Sequence, residues 1–125
     1  MKLPSPTEYD ECLVLVEWLD KQKNLGNVLL FSHIPNETYT TSWKQKAKNK
    51  NSGVRRGVPD YIIVMATGYI LFVEMKRISG STTAPEQKEW IKAINLCDNC
   101  EAKICKGSSE AIKFIEEFLP ALKMT

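Results

Sequence analysis

The chain of 125 residues is 43% hydrophobic and 26% charged, the balance of an ordinary globular domain that buries one core without disulfides or structural metal. No apolar run approaches the roughly 18 residues of a membrane span, and Met1-Lys2-Leu3-Pro4 begins no signal peptide. One domain over residues 1–125, intracellular and cytoplasmic, is therefore expected. The net charge of +2 conceals an asymmetry: Lys44, Lys46, Lys48, Lys50, Arg55 and Arg56 lie between Thr41 and Gly57 with no acidic residue. Taking these six cations from +2 leaves the remainder at −4. A basic segment on an otherwise acidic body is a footprint for a polyanion.

In chain order, Ser5-Pro6-Thr7-Glu8 reads as a capping box with Pro at the first helical position, opening a helix to about Lys23. Gly26 ends that region, and Val28–Ser32 reads as a strand. Asn36 to Ser52 is polar and lacks periodicity, so 36–56 is expected as a basic, mobile loop that orders on DNA. Tyr61–Met65 and Tyr69–Val73 read as strands buried on both faces. Ser79–Thr83 links to a helix from near Pro85, with Glu86 as capping partner of Thr83 and an inward stripe of Trp90, Ile91, Ile94 and Cys97. Glu101–Lys106 reads as a further strand, and Ser108 or Ser109 caps a last helix running to about Leu119. The expected fold is α/β, with the hairpin strands central and helices on both sheet faces.

Cys97-Asp98-Asn99-Cys100 has zinc-knuckle spacing, with Cys105 as a third thiol. No second pair completes a site, and the lone His33 is remote. No structural zinc is expected. Cys12 and Cys97 fit apolar helix faces and Cys105 a strand, as buried thiols of a reducing compartment.

The chemistry concentrates at the open end of the hairpin. Within Gly57–Lys76 the only charged side chains are Asp60 at the entry and Glu74 and Lys76 at the exit. A three-residue Ala66-Thr67-Gly68 loop with left-handed Gly68 pairs Met65 with Tyr69 and, counting outward, Asp60 with Glu74. Opposed residues share a face, and Lys76 joins them by period-2 alternation. A two-residue Thr67-Gly68 turn would instead send Glu74 to the other face. In the longer-loop register, two carboxylates and one ammonium suit a divalent metal and a water attacking a phosphodiester.

Pro59-Asp60, a hairpin, then Glu74-x-Lys76 resembles the PD-(D/E)xK nucleases. His33-Ile34-Pro35-Asn36-Glu37, the basic stretch, Gly57-Val58-Pro59-Asp60, Val73-Glu74-Met75-Lys76 and Pro85-Glu86-Gln87-x-x-Trp90 together resemble the virus-type replication–repair nuclease (VRR-NUC) family over nearly the whole chain. The resemblance implies a restriction-endonuclease-like mixed four-stranded sheet in the order α-β-β-β-α-β-α. It also implies a DNA endonuclease that leaves 5′-phosphate and 3′-hydroxyl ends and prefers branched or flapped DNA, with a phage or mobile element as a natural source. The rival expectation is a catalytically silent nucleic-acid-binding or protein-interaction module on the same fold.

Asp60 and Glu74 are assigned as Mg²⁺ ligands (Mn²⁺ as the alternative), with the Met75 carbonyl adding a third oxygen and Lys76 orienting the attacking water. Gln87 falls on the inward face of its helix, where a buried amide needs a partner, and the resemblance places it in the active site. The family also expects an acidic residue from the first helix. Glu8 is accounted for by the cap, so Glu11 is chosen, preceding Val14, Leu15, Trp18 and Leu19 at the spacing of one buried face. Lys44, Lys46, Lys48, Lys50, Arg55 and Arg56 are the expected DNA contacts, with Tyr39 and Trp43 beside them to stack on bases or to anchor the loop. His33, Asn36 and Glu37 stand at the mouth of that loop, either as a structural turn or as the site's rim. A homodimer is expected, because resolving a symmetric four-way junction needs two cuts on related strands; Phe114, Phe118, Leu122 or Trp43 either form its contact or finish the core.

Overall fold

A computed structural model describes residues 6–35 and 41–121. Ser5, Asn36, Glu37, Tyr39 and Leu122 lie outside the described residues.

The first helix, α1 (Glu8–Asn24), begins two residues later than the expected box implies. Thr7 is its N-cap: the Thr7 hydroxyl accepts the Asp10 N–H at 3.0 Å, and the Asp10 carboxylate accepts the Thr7 N–H at 2.9 Å. Glu8 therefore stands at the first helical position with no part in the box. The buried stripe is Glu11, Leu15 and Leu19, flanked by half-buried Trp18, whereas Val14 is exposed.

Strand β1 (Val28–His33) follows as a sheet edge with a bulge between Val28 and Leu30. The segment read as a loop contains a helix, α2 (Trp43–Asn51), capped by the Ser42 hydroxyl, which accepts the Gln45 N–H at 3.2 Å. Its Lys, Gln and Ala residues are good helix formers, but none of its side chains is buried. It has no apolar face, so periodicity gave no sign of it.

Strands β2 (Tyr61–Met65) and β3 (Ile70–Lys76) form the hairpin in the longer-loop register: Tyr61 pairs with Val73, Ile63 with Leu71 and Val64 with Ile70. Gly68 takes φ +92°, its N–H bonds the Met65 carbonyl at 3.0 Å, and the Met65 N–H bonds the Tyr69 carbonyl at 2.8 Å. Continued one step outward, this pairing sets Asp60 opposite Glu74.

Helix α3 (Pro85–Ile94) is the crossover to β4 (Cys100–Lys106), which pairs with β3 in parallel, and α4 (Ser108–Glu116) completes the chain order. The sheet order is β1-β2-β3-β4. Helices α1 and α4 cover one sheet face and α3 covers the other beside β4. On the first face Tyr61, Ile63, Met65, Leu71, Val73 and Met75 pack with Leu15, Leu19, Phe114 and Ile115 into the core. Truncating one such Leu or Ile to Ala costs about 2–5 kcal/mol. Phe114 is buried and Phe118 packs against Tyr69 and Phe114, with ring centroids 4.9 and 5.5 Å away, so both finish the core, the second of the two readings above. Cys105 is buried as expected, but Cys97 lies exposed beyond the end of α3. No helix among the described residues is long and apolar enough to cross a membrane.

Candidate active site

The hairpin register delivers Asp60 and Glu74 to the sheet face that α3 partly covers, and α3 delivers Gln87 to them. Asp60 sits one residue before β2, with its Oδ2 accepting the Met75 N–H at 2.7 Å. Glu74 is only 4% exposed. Its Oε2 accepts the Gln87 Nε2–H at 2.7 Å and lies 3.5 Å from the Lys76 ammonium. Lys76 Nζ donates to Gln87 Oε1 at 2.9 Å, and that oxygen also accepts the Ala84 N–H at 3.0 Å. One amide thus holds the carboxylate and the ammonium in register while closing the first turn of α3. The α3 cap is Ala84, not Thr83, and Gln87, not Glu86, reaches back to it.

A backbone contact fixes the approach of the Asp60 segment to α3. Gly57 has φ +90°, and a Cβ there would stand 2.5 Å from the Glu86 carbonyl carbon and 2.8 Å from the Gln87 nitrogen. Only glycine allows the chain to pass this close.

The electrostatics are those of two acids crowded together out of water. Burial is the main cause that lifts Glu74 from 4.5 to about 7; the Asp60 charge adds to it, and Lys76 opposes both. Asp60 is also raised, first by burial, with its Met75 hydrogen bond, His33 and Lys76 pulling the other way. The Glu8 charge also raises both carboxyls, as a smaller cause. The Glu11 carboxylate is engaged at the start of α4. Its Oε2 accepts both the N–H (2.9 Å) and the hydroxyl of Ser108, and so caps α4, whose N-cap Gly107 has no side chain to do it. Sequence reading left out Glu8, whose charge both carboxyls feel. Thr7-x-x-Asp10 also spells a capping box, and that box leaves Glu8 free.

Asp60, Glu74 and the Met75 backbone offer only oxygen, which suits a hard cation such as Mg²⁺. In a strand the N–H and C=O of one residue point to the same side, so the Met75 carbonyl faces Asp60 as its N–H does. Among the described residues, no three His, Cys, Asp or Glu side chains gather to hold a metal. A cation here would take its remaining ligands from water and substrate, as Mg²⁺ usually does.

The basic residues lie apart from this cluster but connect to it through the chain. Lys44, Lys46, Lys48 and Lys50 are exposed on α2, and Arg55 and Arg56 are exposed just before Gly57. Trp43 is 82% exposed, with the Lys46 ammonium 4.8 Å from its ring centroid. His33 pairs with Tyr61 across the sheet, ring to ring at 5.2 Å, and its charge acts on Asp60.

A hairpin carrying Pro59-Asp60 and Glu74-x-Lys76, extended by a parallel strand and flanked by helices, is the PD-(D/E)xK nuclease-type fold. The VRR-NUC domain model matches residues 4–109, and the chain belongs to the VRR-NUC family. A solved structure described as a VRR-NUC domain protein is 31% identical, with 93% of this chain and 90% of that chain covered at a TM-score of 0.73. A second, described as a VRR-NUC domain, is 20% identical, covers 90% of this chain and 99% of that one, and shares the fold at a TM-score of 0.57. The comparison with curated proteins finds no match.

Proposed function

We propose that this VRR-NUC domain is a Mg²⁺-dependent DNA endonuclease, with Mn²⁺ able to substitute, that prefers branched DNA. The observation that carries the reading is the convergence of Asp60, Glu74, Lys76 and Gln87 on one sheet face. Asp60, Glu74 and the Met75 carbonyl would hold the metal, and Glu8 adds negative charge from the side. When bound, Mg²⁺ polarises the phosphoryl oxygen and lowers the pKa of a coordinated water. Lys76, braced by Gln87, orients the attacking water and stabilises charge that develops on the scissile phosphate. Gln87 prevents Lys76 from collapsing fully onto Glu74, because it holds the ammonium closer than the carboxylate does.

Lys44, Lys46, Lys48, Lys50, Arg55 and Arg56 bind the DNA backbone in this reading. Paired cuts across a four-way junction call for a homodimer, and among the described candidates Trp43 is exposed. The four free cysteines suit a reducing, intracellular setting.

The test is cleavage of supercoiled plasmid, a four-way junction and a flapped duplex with Mg²⁺, Mn²⁺ or EDTA. Metal-dependent cutting, fastest on a branched substrate and leaving 5′-phosphates, is expected. DNA binding without cleavage of any substrate would instead identify a silent binding module.

A further inference from the structure

Beside the carboxylates, the outer stripe of α3 turns a different set of side chains outward. Glu86, Glu89, Trp90 and Ala93 follow helical spacing, one position round from Gln87, Ile91 and Ile94. With Arg55 and Arg56 they line a cavity of about 420 Å³, within the usual range for small-molecule pockets. Trp90 was expected to point inward, but it is 37% exposed, and its Nε1–H bonds the Arg56 carbonyl at 3.0 Å. That bond fixes the indole plane while leaving part of the ring open.

A second cavity adjoins it across Arg55 and Arg56, of about 620 Å³, lined also by Lys46, Asn49, Lys50 and Val54. The two differ in charge. The second carries four cations and no acid, so it suits phosphate. The first places Glu86 and Glu89 beside the indole, which disfavours phosphate. It suits an uncharged aromatic ring, whose exocyclic amino groups such carboxylates accept.

We propose that the Trp90 cavity receives an unpaired nucleobase, stacked on the indole, while the flanking phosphates lie in the Lys46–Lys50–Arg55–Arg56 groove. A base inside a duplex offers no free face, so the ligand is a single-stranded nucleotide next to a branch or overhang. Gly57 abuts the Glu86–Gln87 backbone, so the stacked base sits beside the carboxylate cluster and sets which phosphate is presented there. This rests on the nucleic-acid reading of the site, but not on cleavage.

The test is equilibrium binding, in Ca²⁺ to prevent turnover, of fluorescein-labelled duplexes that are blunt or carry a single-stranded overhang. One overhang position at a time is made abasic. Wild type should lose roughly tenfold in affinity at one position, in the range of base–aromatic stacking. Trp90→Leu should show the same loss with the intact overhang and no further loss at the abasic position, as in a closed double-mutant cycle. Trp90→Phe should keep most of the coupling, and blunt-duplex affinity should stay unchanged in both variants. No sensitive position in wild type, or equal loss on blunt and overhang DNA, overturns the inference. Absence of any DNA binding would instead overturn the nucleic-acid reading beneath it.

Discussion

Replacing Glu74 with Gln should stabilise the metal-free protein at pH 8 and not at pH 5. Glu74 is buried beside Asp60, and its folded pKa of about 7 stands above its ordinary 4.5. A carboxyl raised in the fold binds more protons there than when unfolded. Its contribution to stability is complete below about 4.5, declines between 4.5 and about 7, and is lost above. At about 1.4 kcal/mol per pH unit, that span is worth on the order of 3 kcal/mol. Gln keeps an acceptor for Gln87 and has no charge to bury, so it escapes this loss. For a domain of this size the difference corresponds to a Tm higher by roughly 10 °C at pH 8. Thermal melts of both proteins in EDTA from pH 5 to pH 8 read it directly, and Mg²⁺ should raise the wild-type Tm at pH 8 more than that of the variant. A Glu74→Gln minus wild-type difference that stays constant with pH would refute the crowded-carboxylate account.

Gly57→Ala should lose cleavage and stability together, with about 1–2 kcal/mol from the left-handed backbone alone and the clash with the α3 backbone added to it; urea melts and plasmid nicking check this. Glu8 and Glu11 should separate cleanly. Glu11→Ala should cost roughly 2–3 kcal/mol by removing charged hydrogen bonds to Ser108 while sparing Mg²⁺ affinity. Glu8→Ala should weaken Mg²⁺ binding in calorimetry and leave stability within about 0.5 kcal/mol. Replacing Lys44, Lys46, Lys48 and Lys50 with Gln should flatten the log–log salt dependence of duplex binding by about 0.9 for each phosphate that is no longer neutralised, and an unchanged slope would show that α2 faces away from DNA.

The hairpin was legible because its composition leaves few choices: two apolar strands, a glycine where positive φ is required, and charge only at the open end. That pattern set the register, and the register set Asp60 against Glu74. Gln87 was legible from its place on an inward helix stripe near a helix start, and it bonds both the site and the helix-end backbone at Ala84. The first helix misled because two overlapping capping boxes, Ser5 to Glu8 and Thr7 to Asp10, fit the same residues. Choosing the first one assigned Glu8 to the cap and left Glu11 as the candidate, and the Glu11 bond that closes the start of α4 depends on a residue 97 positions away. Helix α2 escaped notice because it has no buried face, and hydrophobic periodicity can report only helices that pack. Phe118 looked like a surface apolar residue because nothing local in the sequence reveals that Tyr69 waits across the hairpin turn.

The most direct test of the proposed site is single-turnover cleavage of one DNA substrate by wild type, Asp60→Asn and Lys76→Met, with DNA affinity measured in parallel in Ca²⁺. Both substitutions remove one charge at the sheet end and leave the core untouched. Each variant should bind DNA and fold like wild type while cleaving roughly a hundred- to a thousandfold more slowly, the scale expected for loss of transition-state charge stabilisation. Cleavage by either variant within a few-fold of wild type would contradict the proposed site.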